Sequence, residues 1–218
     1  MKNVYIYCEG QTEESFIRKV LYRYFLSRGI VVIPIICTTK NTPSRKFKGG
    51  VVDYGKIKRE LTILARQHHN EFVTTMFDYY AMPDNTPGLD CNEPDVEDRI
   101  CQIEATIDED IGQPNCRFHF MLHEFEGILF SSPDSFSLIA NEMTVQRIRE
   151  IRDEYPTPEH INNAPETAPS KRLIALIPNY AKVRNGTLLS QHMGIDVIME
   201  QCPHFREWVQ MIGKLSDN

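Results

Sequence analysis

The sequence predicts an α/β fold, with a mostly parallel sheet of about four strands, helices on both faces of the sheet and a helical C-terminal region. Over the first 131 residues, apolar segments of strand length alternate with segments of helical periodicity. Such alternation is typical of parallel sheets, because each parallel connection needs a crossover that is usually a helix. After residue 131 the strand signals end. We therefore expect an α/β core over residues 1–131 and a helical cap over residues 132–218 that belongs to the same domain.

Four apolar segments are the predicted strands. The first starts close to Met1 and ends at Glu9-Gly10. The others cover residues 30–36, 72–79 and 117–122. Their length and apolar character fit strands that are covered on both faces of a sheet.

The first predicted helix covers residues 12–27, where Phe16, Val20 and Tyr24 recur on one face. Glu13 lies in its first turn, where a negative charge suits the helix dipole. The remaining predicted helices cover residues 51–67, 96–110, 126–130, 136–155, 171–180 and 188–213.

The bulk composition is that of an ordinary globular protein, with 41% apolar and 25% charged residues among 218. A net charge of −6 argues against a broadly basic nucleic-acid coat, but it is compatible with a local basic patch beside an acidic site. None of the six cysteines forms a Cys-x-x-Cys pair, which argues against a structural zinc or a disulfide framework. There is no signal peptide and no apolar run of transmembrane length, so we expect a cytoplasmic protein without a membrane partner.

Several common catalytic motifs are missing from the sequence. It contains no Gly-x-Gly-x-x-Gly, no phosphate-loop Gly-Lys-Ser/Thr and no Gly-x-Ser-x-Gly. Nicotinamide-dependent, ATP-hydrolysing and nucleophile-elbow hydrolase functions therefore lose their main support.

Carboxylates follow three of the predicted strands. Glu9 ends the first, Asp78 ends the third and Glu124 follows the fourth. The carboxyl ends of parallel strands meet at one edge of the sheet, where ligands usually bind. Mg²⁺ or Mn²⁺ prefers oxygen ligands of this kind, so we expect a divalent-metal site there, with Glu9 as a ligand or a general base. The alternative for each acid is a solvated turn residue.

The segment His123-Glu124-Phe125-Glu126 offers a second carboxylate at the same place. If a helix begins near Glu124, then Glu124 and Glu126 point about 200° apart, and only an irregular turn would let both bind one ion. Which of the two faces the site stays open. His123 is a candidate proton carrier, with a structural histidine as the alternative.

Two basic segments are candidate phosphate-binding sites, with a solvated charged surface as the alternative for each. One is the loop at residues 38–50, and the other is a predicted helix start at residues 169–172, where backbone amides could hold an anion. Lys182 and Arg184 could add to the second. The phosphate-binding candidates are Lys46, Lys48, Lys171 and Arg172.

With these residues, the chain resembles the Toprim fold of topoisomerases, primases and OLD-family nucleases. That family has a Glu-Gly turn after its first strand, matched by Glu9-Gly10, and an Asp-x-Asp after its third, matched at Asp78. Tyr80 stands where the second Asp would be, so Asp84 or a later acid would take its place. The resemblance implies a Toprim-like sheet, a Mg²⁺ site and three accessory residues, which are Gly10, Tyr80 and Asp84.

More closely, the chain looks like an uncharacterised bacterial family of Toprim-like proteins. Members are often encoded beside ABC-type ATPases and are suspected to act in defence against phage. The matching segments are residues 9–13, 49–59, 77–80, 123–130 and 169–172. The resemblance therefore implies an ABC-type ATPase as a possible partner.

The leading functional hypothesis is a Mg²⁺-dependent phosphodiesterase that acts on DNA or RNA. The strand-end acids would hold the ions, and the basic segments would bind neighbouring phosphates. The alternative is a non-catalytic Toprim-like scaffold, or a nucleotide-sensing module, that binds a partner ATPase. A third hypothesis, a small-molecule phosphoesterase, would use the same acids without needing the basic loop.

Overall fold

The computed structural model describes residues 1–37, 53–161 and 167–217. Its centre is a parallel sheet whose strands are β1 (Lys2–Cys8), β2 (Ile30–Ile36), β3 (Phe72–Asp78), β4 (Cys116–Arg117) and β5 (Phe120–Met121). The strand order is β2-β1-β3-β4, and β5 also pairs with β3 in parallel. These features confirm the predicted α/β class and the parallel sheet.

The register of β1 and β3 brings their carboxyl ends together. Cys8 pairs with Met76, and both strands run in the same direction. Glu9 and Asp78 therefore emerge at the same edge of the sheet, as their positions in the sequence predict.

The predicted fourth strand, residues 117–122, is interrupted at its centre into β4 and β5. At the interruption, the Thr75 side chain replaces a backbone partner. Its hydroxyl donates to the carbonyl of His119 at 2.8 Å and accepts the N–H of His119 at 2.7 Å. The backbone of His119 is therefore paired although the regular ladder stops there.

Helix α4 (Val96–Ile111) covers the outer side of this interrupted strand. The N–H of Phe118 donates to Oδ1 of Asp108 at 2.6 Å, and the N–H of Phe120 donates to Oε1 of Glu104 at 2.7 Å. The two acids are four residues apart and so lie on one face of the helix. Their carboxylates satisfy backbone donors that the sheet leaves unpaired.

Helices cover both faces of the sheet, as predicted. One core joins the sheet to the helical segment at residues 11–26 and to the C-terminal helices, and it contains Ile6, Phe25 and Trp208. The other core joins the sheet to α3 and α4, and it contains Tyr7 and Ile103. The helical elements of the N-terminal part are α1 (Gln11–Phe16), a π-helical turn (Ile17–Leu21), α2 (Tyr22–Leu26), α3 (Tyr54–Gln67) and α4.

The C-terminal region is helical, as predicted from the loss of strand signals. Short 3-10 helices lie at Phe125–Ser131, Pro133–Leu138, Pro158–His160 and Lys214–Asp217. The α-helices are α5 (Glu142–Asp153), α6 (Pro169–Leu176), α7 (Lys182–Met193), α8 (Ile195–Gln201) and α9 (Pro203–Gly213). Within the described ranges, none of the helices combines the length and the apolar composition needed to span a bilayer.

Three predicted helices of this region differ from the structure, and the one predicted at residues 171–180 begins at Pro169 and ends at Leu176. The predicted helix at residues 188–213 is divided, because Gly194 has a φ of 79° and Pro203 starts a new helix. The predicted helix at residues 136–155 is also divided, because Asn141 caps α5 by accepting the N–H of Thr144 at 2.9 Å. Both breaks occur at residues that punctuate helices, and the apolar periodicity runs through them.

Helix α7 packs against α1 and against the 3-10 helix that follows the sheet. A Cβ atom at Gly186 would lie 3.2 Å from Cε1 of Phe125, so the glycine permits this close approach. The hydroxyls of Thr187 and Ser15 also lie 2.8 Å apart, within hydrogen-bond distance. The packing brings the N-terminal end of α7 to the edge where β1 and β3 end.

Candidate metal centre at the carboxyl ends of β1 and β3

Glu9 lies directly after β1 and is half-buried. Its backbone N–H donates to the carbonyl of Met76 at 3.4 Å, and its carboxylate accepts the backbone N–H of Asp78. Gly10 then precedes α1, and its N–H donates to Oε2 of Glu13 at 2.9 Å in a capping box. This turn places the buried carboxylate of Glu13 beside Glu9.

Asp78 ends β3 and is fixed by the segment that follows β5. Its Oδ1 accepts the N–H of Phe125 at 2.8 Å. This hydrogen bond joins the third strand to the start of the 3-10 helix at Phe125–Ser131. Asp78 therefore lies between Glu9 on one side and the 123–126 segment on the other.

An irregular turn brings Glu124 and Glu126 to the same region. His123 has a φ of 63°, and Glu124 is extended, with φ −146° and ψ 154°, before the 3-10 helix begins. Oε2 of Glu124 accepts the N–H of Ser170 at 2.9 Å, and Oε2 of Glu126 lies 3.3 Å from Nζ of Lys182. Both carboxylates are buried.

We call the five carboxylates Glu9, Glu13, Asp78, Glu124 and Glu126 the acid cluster. Burial raises the pKa of Asp78 well above its ordinary value, and the charges of the other four carboxylates raise it further. Because the charges of both Glu124 and Glu126 contribute to this shift, we include both in the cluster.

The same causes act on other members of the acid cluster. Burial and the charge of Glu13 raise the pKa of Glu9 to about 7, against the lowering effect of the Asp78 N–H and Lys182. Burial raises the pKa of Glu126 to about 7, although Lys182 opposes the shift. Raised pKa values mean that the site resists further negative charge. A bound divalent cation would offset the repulsion among the carboxylates.

Two oxygens of the acid cluster have no hydrogen-bond partner. They are Oε2 of Glu9 and Oε1 of Glu126, and both are buried. Hard oxygens of this kind suit Mg²⁺ or Mn²⁺, so the residues present fit a divalent ion. Within the described residues, however, the cluster does not bring three ligand atoms within 4.8 Å of one another.

His123 lies beside the acid cluster, and it is buried with Nδ1 unpartnered. Burial and the charges of His160 and Arg99 lower its pKa to about 4, against the opposing effect of Glu124. The ring is therefore neutral near pH 7. Its role as a proton carrier stays a prediction.

The predicted phosphate-binding residues have different surroundings. Lys171 is exposed at the start of α6. Arg172 donates through Nε to the carbonyl of Thr167 at 2.6 Å and through a terminal nitrogen to the hydroxyl of Tyr155 at 2.8 Å. The helix-start N–H that we expected to hold an anion, that of Ser170, is bonded to Glu124. Lys46 and Lys48 lie outside the described residues.

The three accessory candidates lie around the acid cluster in different ways. Gly10 is half-buried in the turn that joins Glu9 to Glu13. Tyr80 has an exposed side chain, and its N–H donates to the carbonyl of His123 at 3.2 Å. Asp84 is exposed and is absent from the charges that shift the pKa of Asp78.

Glu13 is the member of the acid cluster that sequence reasoning assigned only to the helix dipole. Its signal is the spacing from Gly10, because the third residue after a helix cap is the position of a capping-box glutamate. Lys182, expected to support a phosphate, instead faces Glu126.

Comparison with known proteins gives one match. The sequence model of a family described as a domain of unknown function, DUF4276, matches residues 8–213. Searches of curated proteins and of solved structures found no match to the chain.

Proposed function

Because this chain belongs to the DUF4276 family, a domain of unknown function, we propose its function from the acid cluster: a Mg²⁺-dependent phosphodiesterase that acts on nucleic acid. One observation carries the proposal. Five carboxylates from three segments of the chain converge where β1 and β3 end, and the raised pKa values of Glu9, Glu13, Asp78 and Glu126 favour a bound cation. Phosphodiester cleavage is a common use of such sites, because divalent ions offset the charge of the scissile phosphate.

The resemblance to the Toprim fold supports the same function. Glu9-Gly10 and Asp78 match the family's acids, and Tyr80 replaces its second Asp. We infer that Glu124 or Glu126 supplies the one carboxylate that this replacement removes, since the charges of both raise the pKa of Asp78. On this reading, a partner ABC-type ATPase would supply part of the substrate groove in a phage-defence system.

Each residue of the site would have a separate role, which depends on its position. Glu9, Asp78 and one or both of Glu124 and Glu126 would hold Mg²⁺, which when bound activates water and acts as a Lewis acid. The N–H groups of Phe125 and Ser170 orient Asp78 and Glu124. In the metal-free protein the pKa of Glu9 is about 7, and a bound cation would favour its ionised form, which is the form that ligates Mg²⁺.

The substrate backbone would lie over the exposed cations near the site. Lys171 is free to reach a phosphate, whereas Arg172 already holds Thr167 and Tyr155 in place. We propose that Lys171 contacts phosphate directly and that Lys46 and Lys48 add to it. DNA, RNA and free nucleotides as substrates would separate a nuclease from a small-molecule phosphoesterase.

Calorimetric titration with Mg²⁺ and Mn²⁺ tests the site. We expect binding in the wild type, its loss in Glu9→Gln/Asp78→Asn, and its retention in Glu14→Gln. Glu14 is a matched control because it follows Glu13 in α1 but pairs with the exposed Arg18 at 2.9 Å. Metal-dependent cleavage of DNA or RNA that survives the double substitution would refute the proposed active site.

One observation favours the alternative function, a scaffold or nucleotide-sensing module that binds an ATPase. Among the described residues, the acid cluster does not gather three ligand atoms within 4.8 Å. A protein that binds neither Mg²⁺ nor Mn²⁺ in calorimetry and forms a stable complex with an ATPase encoded beside it would support this alternative.

A further inference from the structure

A second group of metal-ligating side chains lies between α4 and α9. Cys101 and Glu104 are on α4, and His204 is in the first turn of α9. One ligand atom from each, the thiol sulfur, a carboxylate oxygen and a ring nitrogen, lies within 4.8 Å of the other two. None of the three belongs to the acid cluster.

Each ligand is held by its own element. Cys101 and Glu104 are three residues apart and so lie on one face of α4. Glu104 is fixed by the N–H of Phe120, which donates to its Oε1 at 2.7 Å. Oε1 of Glu104 lies 3.0 Å from Nε2 of His204, so the helices meet at this pair.

The position of His204 is determined by hydrogen bonds of the backbone and by a ring contact. The backbone N–H groups of His204 and Phe205 donate to the buried carboxylate of Glu159 at 3.0 Å and 2.9 Å. The ring of His119 stacks on that of His204, with centroids 4.7 Å apart, and on that of Trp208, at 4.6 Å. The imidazole is therefore oriented before any metal binds, as is usual for ligating histidines.

A second buried histidine, His119, lies beside this group. His119 is 2% exposed, its Nδ1 lies 3.5 Å from Oε1 of Glu104, and its Nε2 has no partner. His119 therefore packs against two of the three ligands, Glu104 and His204.

The group is open to solvent on one side only. His204 is buried, Glu104 is half-buried and Cys101 is exposed. A metal ion would enter past Cys101 and meet the two inner ligands behind it.

We propose that Cys101, Glu104 and His204 form a site for a borderline divalent ion, Zn²⁺, with a fourth position left for water. Thiolate and imidazole ligands select Zn²⁺ over Mg²⁺, whereas the all-oxygen acid cluster has the opposite preference. Binding releases the proton of the Cys101 thiol and the proton between His204 and Glu104 to solvent. Because the ligands come from α4 and α9, the ion joins the α/β core to the C-terminal helices.

Cobalt is the direct probe, since Co²⁺ bound to a thiolate gives a charge-transfer absorption band. We expect metal-free, reduced full-length protein to develop this band on addition of Co²⁺ and to lose it when Zn²⁺ is added. Cys101→Ser should abolish the band and weaken Zn²⁺ binding at least about tenfold. Cys101 is exposed, so this substitution leaves the fold intact.

Two controls keep the result specific. Cys91→Ser removes a half-buried thiol from the loop before α4 and should leave the band unchanged. Glu9→Gln/Asp78→Asn should also leave it unchanged, which separates this site from the acid cluster. No band, or a band that persists in Cys101→Ser, would overturn the proposal and leave the group as an ion pair between Glu104 and His204.

Discussion

Lys182 carries the positive charge that faces the acid cluster. Its Nζ lies 3.3 Å from Oε2 of Glu126. Its charge lowers the pKa values of Glu9, Glu13 and Glu126, whereas burial raises them. Burial alone would lower the pKa of Lys182, but the charge of Glu126 and its neighbours raises it. Lys182 therefore supplies part of the positive charge that a divalent ion would bring to the acid cluster.

Removal of this charge should strengthen metal binding. We expect Lys182→Met to bind Mg²⁺ about fivefold more tightly, because the repulsion of two nearby cations in a wet site is worth about 1 kcal/mol. Calorimetry at pH 8.5, where carboxylates with pKa values of about 7 are ionised, makes the comparison direct. The side chain of Lys182 is 44% exposed, so the fold should tolerate methionine. Lys171→Met is the control, and equal or weaker binding in Lys182→Met would contradict the prediction.

The acids at strand ends could be predicted from sequence because local patterns determine where a strand stops. Glu9 and Asp78 were found in this way, and the structure brings them together. The burial of Glu13 could not be predicted, because it depends on the packing of α7 against α1, far away in the sequence. The orientation of Glu124 and Glu126 depends on the backbone of His123, whose positive φ no sequence pattern specified.

Helix α4 protects the last strand of the sheet by a side-chain mechanism. The carboxylates of Glu104 and Asp108 take the N–H groups of Phe120 and Phe118. An edge that presents free N–H groups invites pairing with another chain, and these two acids occupy such donors at this edge.

Replacement of Asp108 should show the value of this contact. Asp108→Ala leaves the N–H of Phe118 without an acceptor inside a buried segment, and we expect a loss of about 1–3 kcal/mol in the free energy of unfolding. Asp108→Asn keeps an acceptor oxygen and should lose clearly less. Urea unfolding of the three proteins measures this, and equal losses in both variants would show that the charge, and not the hydrogen bond, is what matters.

Gly194 divides the predicted C-terminal helix because its backbone is in a region that favours glycine. With φ 79° and ψ 159°, it forms the junction of α7 and α8. Nothing lies within 4 Å of a Cβ at this position, so a side chain would cause strain and not a clash. We expect Gly194→Ala to cost about 1–3 kcal/mol in thermal unfolding.

Gly213 is the matched control for this substitution. It also has open space around a Cβ, but it lies at the end of α9 without a positive φ. Gly213→Ala should be neutral or stabilising by up to about 1 kcal/mol. A neutral Gly194→Ala would show that the junction tolerates another backbone conformation.

The limits of helix prediction here have a physical cause. Apolar periodicity records which face of a segment is buried, and that face stays buried across the breaks at Gly194 and Pro203. The bounds of the strands were predicted more accurately than those of the helices. The second strand, for example, has the predicted bounds, Ile30–Ile36. The last strand was predicted as one piece because its interruption depends on Thr75, a residue of another strand.

The stability of the whole metal-free molecule should depend on pH through the acid cluster. Glu9 and Glu126 have folded pKa values raised from 4.5 to about 7, so between these values the folded state binds more protons than the unfolded state. These two groups therefore contribute a fall in the free energy of unfolding as pH rises through this window. Glu126→Gln removes one of these ionisable groups. The free energy of unfolding of this variant, compared with that of wild type, should therefore increase between pH 4.5 and pH 8, by on the order of 3 kcal/mol.

Chemical unfolding in EDTA at several pH values measures this difference between wild type and Glu126→Gln. Glu14→Gln, which alters an acid outside the cluster, should show no such trend. Addition of Mg²⁺ at pH 8 should restore stability to wild type more than to Glu126→Gln. A difference that does not change with pH would show that Glu126 ionises freely in the folded protein.

The contacts of α7 with the N-terminal part also bear on how this protein can evolve. The site is assembled from residues as distant as Glu9 and Lys182, and the hydroxyls of Ser15 and Thr187 tie the same two ends of the chain together. Recombination with a related gene could replace only the sheet or only the C-terminal helices. Glu124 and the Ser170 amide that orients it would then come from different parent proteins. We therefore expect the sheet and the C-terminal helices to be inherited together, with sequence variation confined to the surface around the acid cluster.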